Sequence, residues 1–429
     1  VSEVISRKSA LVVDTGGLFL PIAQRLARDF GKVYYASEWR DSFPTLNRGI
    51  IGDGYNEIEH IDDPLDVTAQ IELAVFPDAS HSALQFHFEA MGTPVWGARR
   101  NDLLELSRTF FLAELRVLHL PVPQHTICDG LTELRSVLKD KKDCYVKVSK
   151  WRGTFETQHW RSWTVDEPLL DVWAMRFGPA KEQIQFIVCD AISDAEIGAD
   201  TYCIDGQWPS MALCGFEAKD NAYLGAVTKR QDIPEELTGT MDAFSEFLAA
   251  NHYRQFWSME MRGDKFIDAT TRAGLPSSAS QIELWDNFSE IVWAGAHGEL
   301  IEPEPVAKFS AECVLELKRE KDAWGTIEVG DDMRQWMKLS GCCQIDGRVC
   351  FPAESGGICG DVIGWLVALG NTPRQAIETL KGYAQDLPDG VTAKVESLAD
   401  VLREIEAAEQ EGIEFTDKQL PEPAIVVED

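Results

Sequence analysis

The stretch SALVVDTGGLFLPIAQRLARDFGKVYYAS, residues 9–37, decides the class of the fold. ALVVD at 10–14 is an apolar run closed by an acid, the pattern of a buried strand. Thr15-Gly16-Gly17 is turn chemistry. Pro21 then stands where a helix opens, with Ile22, Ala23, Leu26, Ala27 and Phe30 on one side of it. Gly31 stops the helix, and KVYYAS at 32–37 reads as the next strand. A strand–helix–strand unit of this kind pairs its strands in parallel. The alternation continues with IELAVFPD (71–78) as a strand, 80–91 as a helix stopped by Gly92, and TPVWG (93–97) as a strand. An open parallel sheet of Rossmann type is therefore expected over 1–100.

Past residue 100 the texture changes. Asp102 and Glu105 have capping-box spacing, and one long helix is expected from there to about Leu118. Leu120-Pro121-Val122-Pro123 ends it. CYVKVS, EQIQFIVCD, DTYCIDGQW, SMALCGFEA, QFWSMEMR and KFIDATT then read as strands between turns, interrupted by helices near 235–251 and 281–297. This is an α+β region with an antiparallel sheet, spanning 101–300. Residues 301–412 form a smaller mixed unit, in which Thr372-Pro373-Arg374-Gln375 is a capped helix start and 396–411 an acidic helix. The Glu/Pro-rich tail, 413–429, is expected to be mobile.

Composition bounds the function. Of 429 residues, 45% are apolar and 26% charged, which excludes general disorder. Lys and Arg number 40 against 71 Asp and Glu, a net charge of −31, which argues against a nucleic-acid or anionic-membrane binder. No apolar run approaches the roughly 20 residues that span a bilayer. VSEVISRKSALVVDTGG lacks a signal-peptide apolar region. The ten cysteines include no C-x-x-C pair and mostly sit in apolar runs, as in a reducing, cytoplasmic setting. A zinc site from Cys342, Cys343, Cys350 and Cys359 has none of the common spacings. The histidines form no ligand-spaced set.

Three constellations carry chemistry. Gly16 and Gly17 lie between a strand and a helix, which gives either a tight turn or a site for a phosphate or carboxylate. Lys147, in the strand YVKVS, is flanked by apolar residues, and a buried ammonium needs an anion, either a nucleotide phosphate or an internal carboxylate. The polar loop after it, from Lys150 through Trp151, Arg152, Gly153 and Thr154, has a glycine hinge and could close over phosphates. The hairpin of 257–272 puts Glu260 and Arg262 on one face, with Asp268, Thr270 and Arg272 in matching parity across a Gly263-Asp264 turn. Adjacent carboxylates repel unless a cation lies between them, and Mg²⁺ takes carboxylates together with phosphate oxygens. The alternative is that Glu260 and Asp268 pair with Arg262 and Arg272.

The order of these parts, with GTPVWG…NDLLELSRTFFLAEL, LPVP, YVKVS, FIDATTRAGLP and GWLVALGNTPRQAIETLKGYA, resembles the ATP-grasp superfamily from about residue 10 to about 385. It is most similar to glycinamide ribonucleotide synthetase (phosphoribosylamine–glycine ligase) and related carboxylate–amine ligases. The last segment also resembles the C-terminal domain of biotin carboxylase. The resemblance implies an ATP-grasp fold with an N-terminal Rossmann-like domain and a small C-terminal domain. It implies ATP with Mg²⁺ or Mn²⁺, and amide formation through an acyl phosphate with release of ADP. The implied partners are a small carboxylate such as glycine and an amine, handled by a monomer or homodimer. It gives Lys147 and Arg108 to the ATP phosphates, and Gln185, Phe186 and Ile187 to adenine. Glu196 goes to ribose, and Glu260, Asp268 and Thr270 to metal. Arg272 and Gly274 would grip the acyl phosphate or substrate carboxylate, with Lys147 and Arg272 as the catalytic pair. Gly16, Gly17, Arg152 and Arg262 fall to substrate.

Departures are visible. Asp268-Ala-Thr270-Thr-Arg272 stands for the usual E-x-N-x-R, and Arg108 replaces a Lys. Trp151, Trp160 and Trp163 make the loop after Lys147 bulkier than the family's, which bears on the amine. An ATP-binding regulatory or interaction protein without ligase activity is the alternative. A dinucleotide oxidoreductase is disfavoured, because G-x-G-x-x-G is absent.

Overall fold

A computed structural model describes residues 4–14, 16–37, 50–150, 157–319, 323–353 and 362–415. Thr15, the 151–156 loop with Trp151, Arg152, Gly153 and Thr154, Cys359, and the tail from 416 lie outside the described residues.

The N-terminal strands are β1 (Ser9–Asp14), β2 (Lys32–Ser37), β3 (Glu59–His60), β4 (Leu73–Val75) and β5 (Val95–Trp96), with α1 (Leu20–Leu26) and α2 (Ser82–Ala90) between them. They form a wholly parallel sheet in the order β3-β2-β1-β4-β5. The expected open Rossmann-type sheet is present. Its strand order reverses between β1 and β4, where open α/β sheets present their crevice. The expected strand of 71–78 is shorter, since Pro77 has no N–H to continue a ladder.

The long helix expected from 102 is interrupted. α3 (Leu103–Leu106) and α4 (Arg108–Val117) are separated by Ser107 in extended conformation, φ −140° and ψ 97°. A tertiary contact takes over there: the Arg108 N–H donates to the Ser149 carbonyl at 3.1 Å, and Thr109 Oγ1 lies 3.2 Å from Ser149 Oγ. The capping box does not form, because Glu105 bonds the Thr271 N–H and Arg272 instead.

The next lobe contains β6 (His125–Asp129), α5 (Leu131–Leu138), β7 (Lys142–Val148), β8 (Thr157–Ser162), α6 (Trp163–Phe177) and β9 (Gln185–Asp190). Its antiparallel sheet runs β6-β9-β7-β8. Alternation along β7 sends Cys144, Val146 and Val148 into the lobe's core with Trp160, Trp173 and Phe186, and Lys147 to the opposite face. Trp160, read above as loop bulk, is thus a core side chain, with Trp163 edge-on against it.

The larger sheet is built from β10 (Glu196–Ile204), β11 (Met211–Ala218), β12 (Ala222–Lys229), β13 (Arg254–Arg262), β14 (Lys265–Thr270) and β15 (Phe309–Leu317). Later segments are β16 (Gly325–Ile327), β17 (Met337–Leu339), β18 (Cys343–Ile345), β19 (Arg348–Phe351), β20 (Val362–Gly370) and β21 (Val391–Ala393). The order is β14-β13-β10-β11-β12-β15-β20-β17, with β21 added to β15, so one sheet passes through residue 301. β16, β19 and β18 form a separate small sheet. The helices are α7 (Glu235–Ala250), α8 (Ser278–Leu284), α9 (Phe288–Ala296), α10 (Asp331–Arg334), α11 (Pro373–Tyr383) and α12 (Leu398–Gln410). The helix expected near 281–297 is therefore two, α8 and α9, divided at Trp285, which bridges to Pro305. Thr372 caps α11 as expected, accepting from the Gln375 N–H.

Alternation divides the large sheet into two unlike faces. Ala199, Cys203, Phe216, Leu224, Trp257, Met259, Met261 and Phe309 lie on the apolar face, against which α7 and α12 pack. Phe415 is buried there between Phe216 and Phe309, so the tail expected to be mobile from 413 is docked at its start. The other face carries Glu196, Asp200, Glu217, Tyr223, Glu260, Asp268 and Glu312.

Cys342 lies 3.1 Å from the Tyr55 hydroxyl and is fully buried, which pushes its thiol up to about 12, an inert thiol rather than a ligand. No helix among the described residues is long and apolar enough to cross a membrane.

A buried ionic knot ties the three parts of the chain together. Lys338 of β17 bonds Glu283 of α8, which also accepts from Arg28, just past α1, at 2.7 and 3.0 Å, and from Gln335 at 2.8 Å. Removing one partner strands a buried charge. Glu283→Ala is expected to cost about 3–5 kcal/mol in urea unfolding, and Glu283→Gln with Lys338→Met to recover most of it. A loss below about 1 kcal/mol for Glu283→Ala would show that the knot does not tie the units.

Candidate active site

The site is assembled from the polar face of the large sheet and the opposing face of the small lobe. Glu260 of β13 stands directly opposite Asp268 of β14, with a bulge just beyond Glu260, so the paired carboxylates expected from hairpin parity are neighbours. Their partners are not those of the simple hairpin alternative. Asp268 takes Arg108, with Nη1 at 3.4 Å from both carboxylate oxygens. Glu260 takes Lys219 at 3.5 Å. Arg262 pairs with Glu196 at 2.9 Å, and Arg272 with Glu105 at 2.7 Å.

Lys147 faces this group from the small lobe. Burial lowers its pKa, Arg108 lowers it further, and Asp268 and Glu260 act in the opposite sense. Burial would raise Asp268, but Arg108, Lys147 and Lys219 outweigh it and hold that carboxylate below its usual range. Asp268 is thus the anion that Arg108, Lys147 and Lys219 together favour.

A second acidic group lies alongside. One carboxylate oxygen from each of Glu196, Glu217 and Glu260 falls within 4.8 Å of the others, the only such group of potential metal ligands among the described residues. Hard oxygen donors in this number suit Mg²⁺ or Mn²⁺. Burial, then Glu196, Glu217 and Asp268, push Glu260 up to about 8, with Lys219 opposing. Burial also raises Glu217. Lys219, despite a burial effect in the other direction, is raised by Glu260, Glu217 and Glu196. Its Nζ is 3.1 Å from Glu217, where it stands in for a cation among the acids.

This arrangement changes several expectations. Of the metal set expected from Glu260, Asp268 and Thr270, Glu260 and Asp268 stand opposite each other, and Glu260 also meets Glu196 and Glu217. Asp268 also pairs with Arg108, and Thr270 lies opposite Ser258. Glu196, assigned above to ribose, is one of the three acids. Phe186 does not face the cleft; it is buried in the lobe's own core and stacked on Trp173. Gln185, Phe186 and Ile187 lie in β9 between β6 and β7, so their backbone groups serve the sheet, and the Gln185 carbonyl accepts from Ser149. Ile187, opposite Lys147, and Gln185, two residues before it, share the face away from the lobe's core.

At the strand-order switch, Gly17 has φ +70°, and a Cβ would come 2.7 Å from Ile51 Cδ1, so the turn needs glycine. The Gly16 N–H is taken by Asp14 at 3.3 Å, and Asp14 is buried, with its carboxyl raised to about 6 by burial. The turn thus closes over a buried acid. Arg272 is near Asp78 as well as Glu105, and Gly274 is packed against Ser277 and Asp200. Arg152 lies outside the described residues. Glu217 and Lys219 were not anticipated. The signal available was Glu217 in the strand SMALCGFEA with Lys219 two residues on, one alternation period.

No family model and no curated protein matches the chain by sequence. Solved structures do match by shape. Phosphoribosylamine–glycine ligase from Thermotoga maritima superposes with TM-score 0.68 at 14% identity, covering 90% of this chain and 98% of that one. The biotin carboxylase domain of 2-oxoglutarate carboxylase from Hydrogenobacter thermophilus, a dimer in complex with MgADP, ADP and bicarbonate, gives 0.62 at 13%, covering 90% and 92%. L-amino acid ligase from Bacillus licheniformis gives 0.57 at 14%, covering 90% and 98%. The chain has the ATP-grasp fold.

A cation bound by the trio must displace the proton that Glu260 holds below about pH 8. Mn²⁺ affinity of the nucleotide-free protein, followed by electron paramagnetic resonance, is therefore expected to rise about tenfold per pH unit up to about 8 and then level off. For stability the same raised pKa runs the other way, its contribution falling as pH climbs from 4.5 to about 8. An affinity independent of pH, or unchanged in Glu217→Gln, contradicts the assignment.

Proposed function

We propose that the chain is a cytoplasmic ATP-dependent carboxylate–amine ligase. The observation that carries the reading is the convergence of Lys147 and Arg108 on Asp268 and Glu260, between a small lobe and a polar sheet face. A triphosphate in that space would find cations on one side and metal-ligating acids on the other. The free thiols among the described cysteines fit a reducing setting.

Phosphoryl transfer depends on positioning and charge neutralisation more than on a covalent protein group. A substrate carboxylate oxygen attacks the γ-phosphorus, the bond to the bridging oxygen breaks, and ADP leaves with that oxygen's electrons. Lys147 and Arg108 offset the charge spread over the transferred group. Mg²⁺ held by Glu196, Glu217 and Glu260 would neutralise phosphate oxygens when bound. An amine nitrogen then attacks the acyl carbon, phosphate departs, and the nitrogen loses a proton, leaving an amide. In this reading Arg272, fixed by Glu105, orients the acid. A glycine-like amino acid fits that role, and the net charge of −31 favours a cationic amine approaching from bulk.

ADP release should require both an amino acid and an amine. Asp268→Asn and Glu260→Gln are each expected to lower kcat about 10²–10³-fold without loss of folding, measured by a coupled ADP assay and thermal unfolding. Normal turnover by Asp268→Asn contradicts the reading. Tight ATP binding with no ADP formed across a panel of acids and amines favours the regulatory alternative.

A further inference from the structure

We propose that Asp200 and Glu312 are positioning residues, which act through Ser277 to hold the 272–277 loop against the cleft. The inference deepens the ligase reading and rests on it for the loop's role.

Ser277 has φ 85° and ψ −39°, a conformation that a residue with a side chain avoids and that glycine adopts freely. Such strain persists only where the surroundings over-determine it, and it gathers at functional sites. Two carboxylates supply the restraint. The Ser277 N–H donates to Glu312 Oε1 at 2.8 Å, and Ser277 Oγ donates to Asp200 Oδ1 at 2.8 Å. The carboxylates are fixed in turn, Asp200 by the Tyr223 hydroxyl at 2.8 Å and Glu312 by Ser280 Oγ at 2.7 Å. Asp200 is 6% exposed, and Glu312 and Ser280 are 0% exposed. Neither carboxylate forms an ion pair with Lys or Arg among the described residues.

Burying two acids without a cation is costly, and the fold gains little core packing from them. Burial raises both, Glu312 to about 7, and each bonds hydroxyl or N–H groups only. What they secure is the loop. A Cβ on Gly274 would come 2.6 Å from Ser277 Oγ and 3.3 Å from Asp200 Oδ1, so this glycine rests directly on the clamp. The front of the loop is pinned separately, with Thr271 and Arg272 on Glu105 and the Ala273 N–H on the Pro77 carbonyl at 2.9 Å. Glycine at 277 would relieve the backbone strain but would lose the bond to Asp200. Serine accepts the strain and keeps it.

The test is hydrogen exchange of the full-length chain, with ADP affinity by calorimetry as the control. In Ser277→Ala and in Asp200→Ala, amides of 271–278 are expected to exchange about tenfold faster, with ADP affinity within about twofold of the parent. Glu312→Gln, which keeps an acceptor for the Ser277 N–H, should retain the protection that Glu312→Ala loses. Where ligation is measurable, the KM for the acid should rise about tenfold and the KM for ATP should not move. Unchanged exchange at 271–278 in both Ser277→Ala and Asp200→Ala overturns the proposal. So does a loss of protection spread over the whole chain, which marks ordinary core support. A parent protein that forms no ADP with any acid and amine overturns the ligase reading, while the exchange pattern still decides whether the clamp holds the loop.

Discussion

A half-buried ammonium on one sheet facing acids on another is the constraint around which the molecule is arranged. Lys147 faces the acids because β7 presents it away from the lobe's apolar core, and α4 is stitched to the end of β7 through Ser149. That stitch also sets Arg108 beside Asp268. Without anions across the gap, two neighbouring cations would repel and lose hydration. The hairpin of β13 and β14 answers them with Asp268, held below its usual range by the cations, and with Glu260, paired with Lys219.

Much of this was legible from local pattern. The alternation of apolar runs, turns and helix signals in the first hundred residues led to the parallel sheet, and period-two parity placed Glu260 beside Asp268. Residues whose partners are distant in sequence were not legible. Glu105 has the spacing of a helix cap, yet its carboxylate serves Thr271 and Arg272 on the far side of the middle region. Ser107 sits in a good helical sequence, yet a tertiary bond to Ser149 breaks the helix there. Glu217 joins Glu196 and Glu260 only when β11 pairs with β10. Phe186 illustrates the converse: resemblance placed it against a ligand, while strand parity puts its ring in a core.

The polar face of the large sheet carries two kinds of acid, one half-buried and one buried. Glu196, Glu217 and Glu260 bring one carboxylate oxygen each within 4.8 Å of the others, with Lys219 among them. Asp200 and Glu312 converge on a backbone turn already satisfied by hydroxyl and N–H donors. The first group is open to ligand and protonation, and the second is closed and structural in the service of a loop. Their placement on alternate residues of adjoining strands lets one sheet hold a reactive surface and its support.

The convergence of Lys147 and the acidic hairpin on one triphosphate is tested most directly by calorimetric affinity for a non-hydrolysable ATP analogue with Mg²⁺, compared between the parent and Lys147→Met. We expect about a hundredfold loss for the triphosphate analogue and little change for adenosine, in keeping with the loss of a charge-assisted contact. Equal affinity for the triphosphate in the two proteins contradicts the claim.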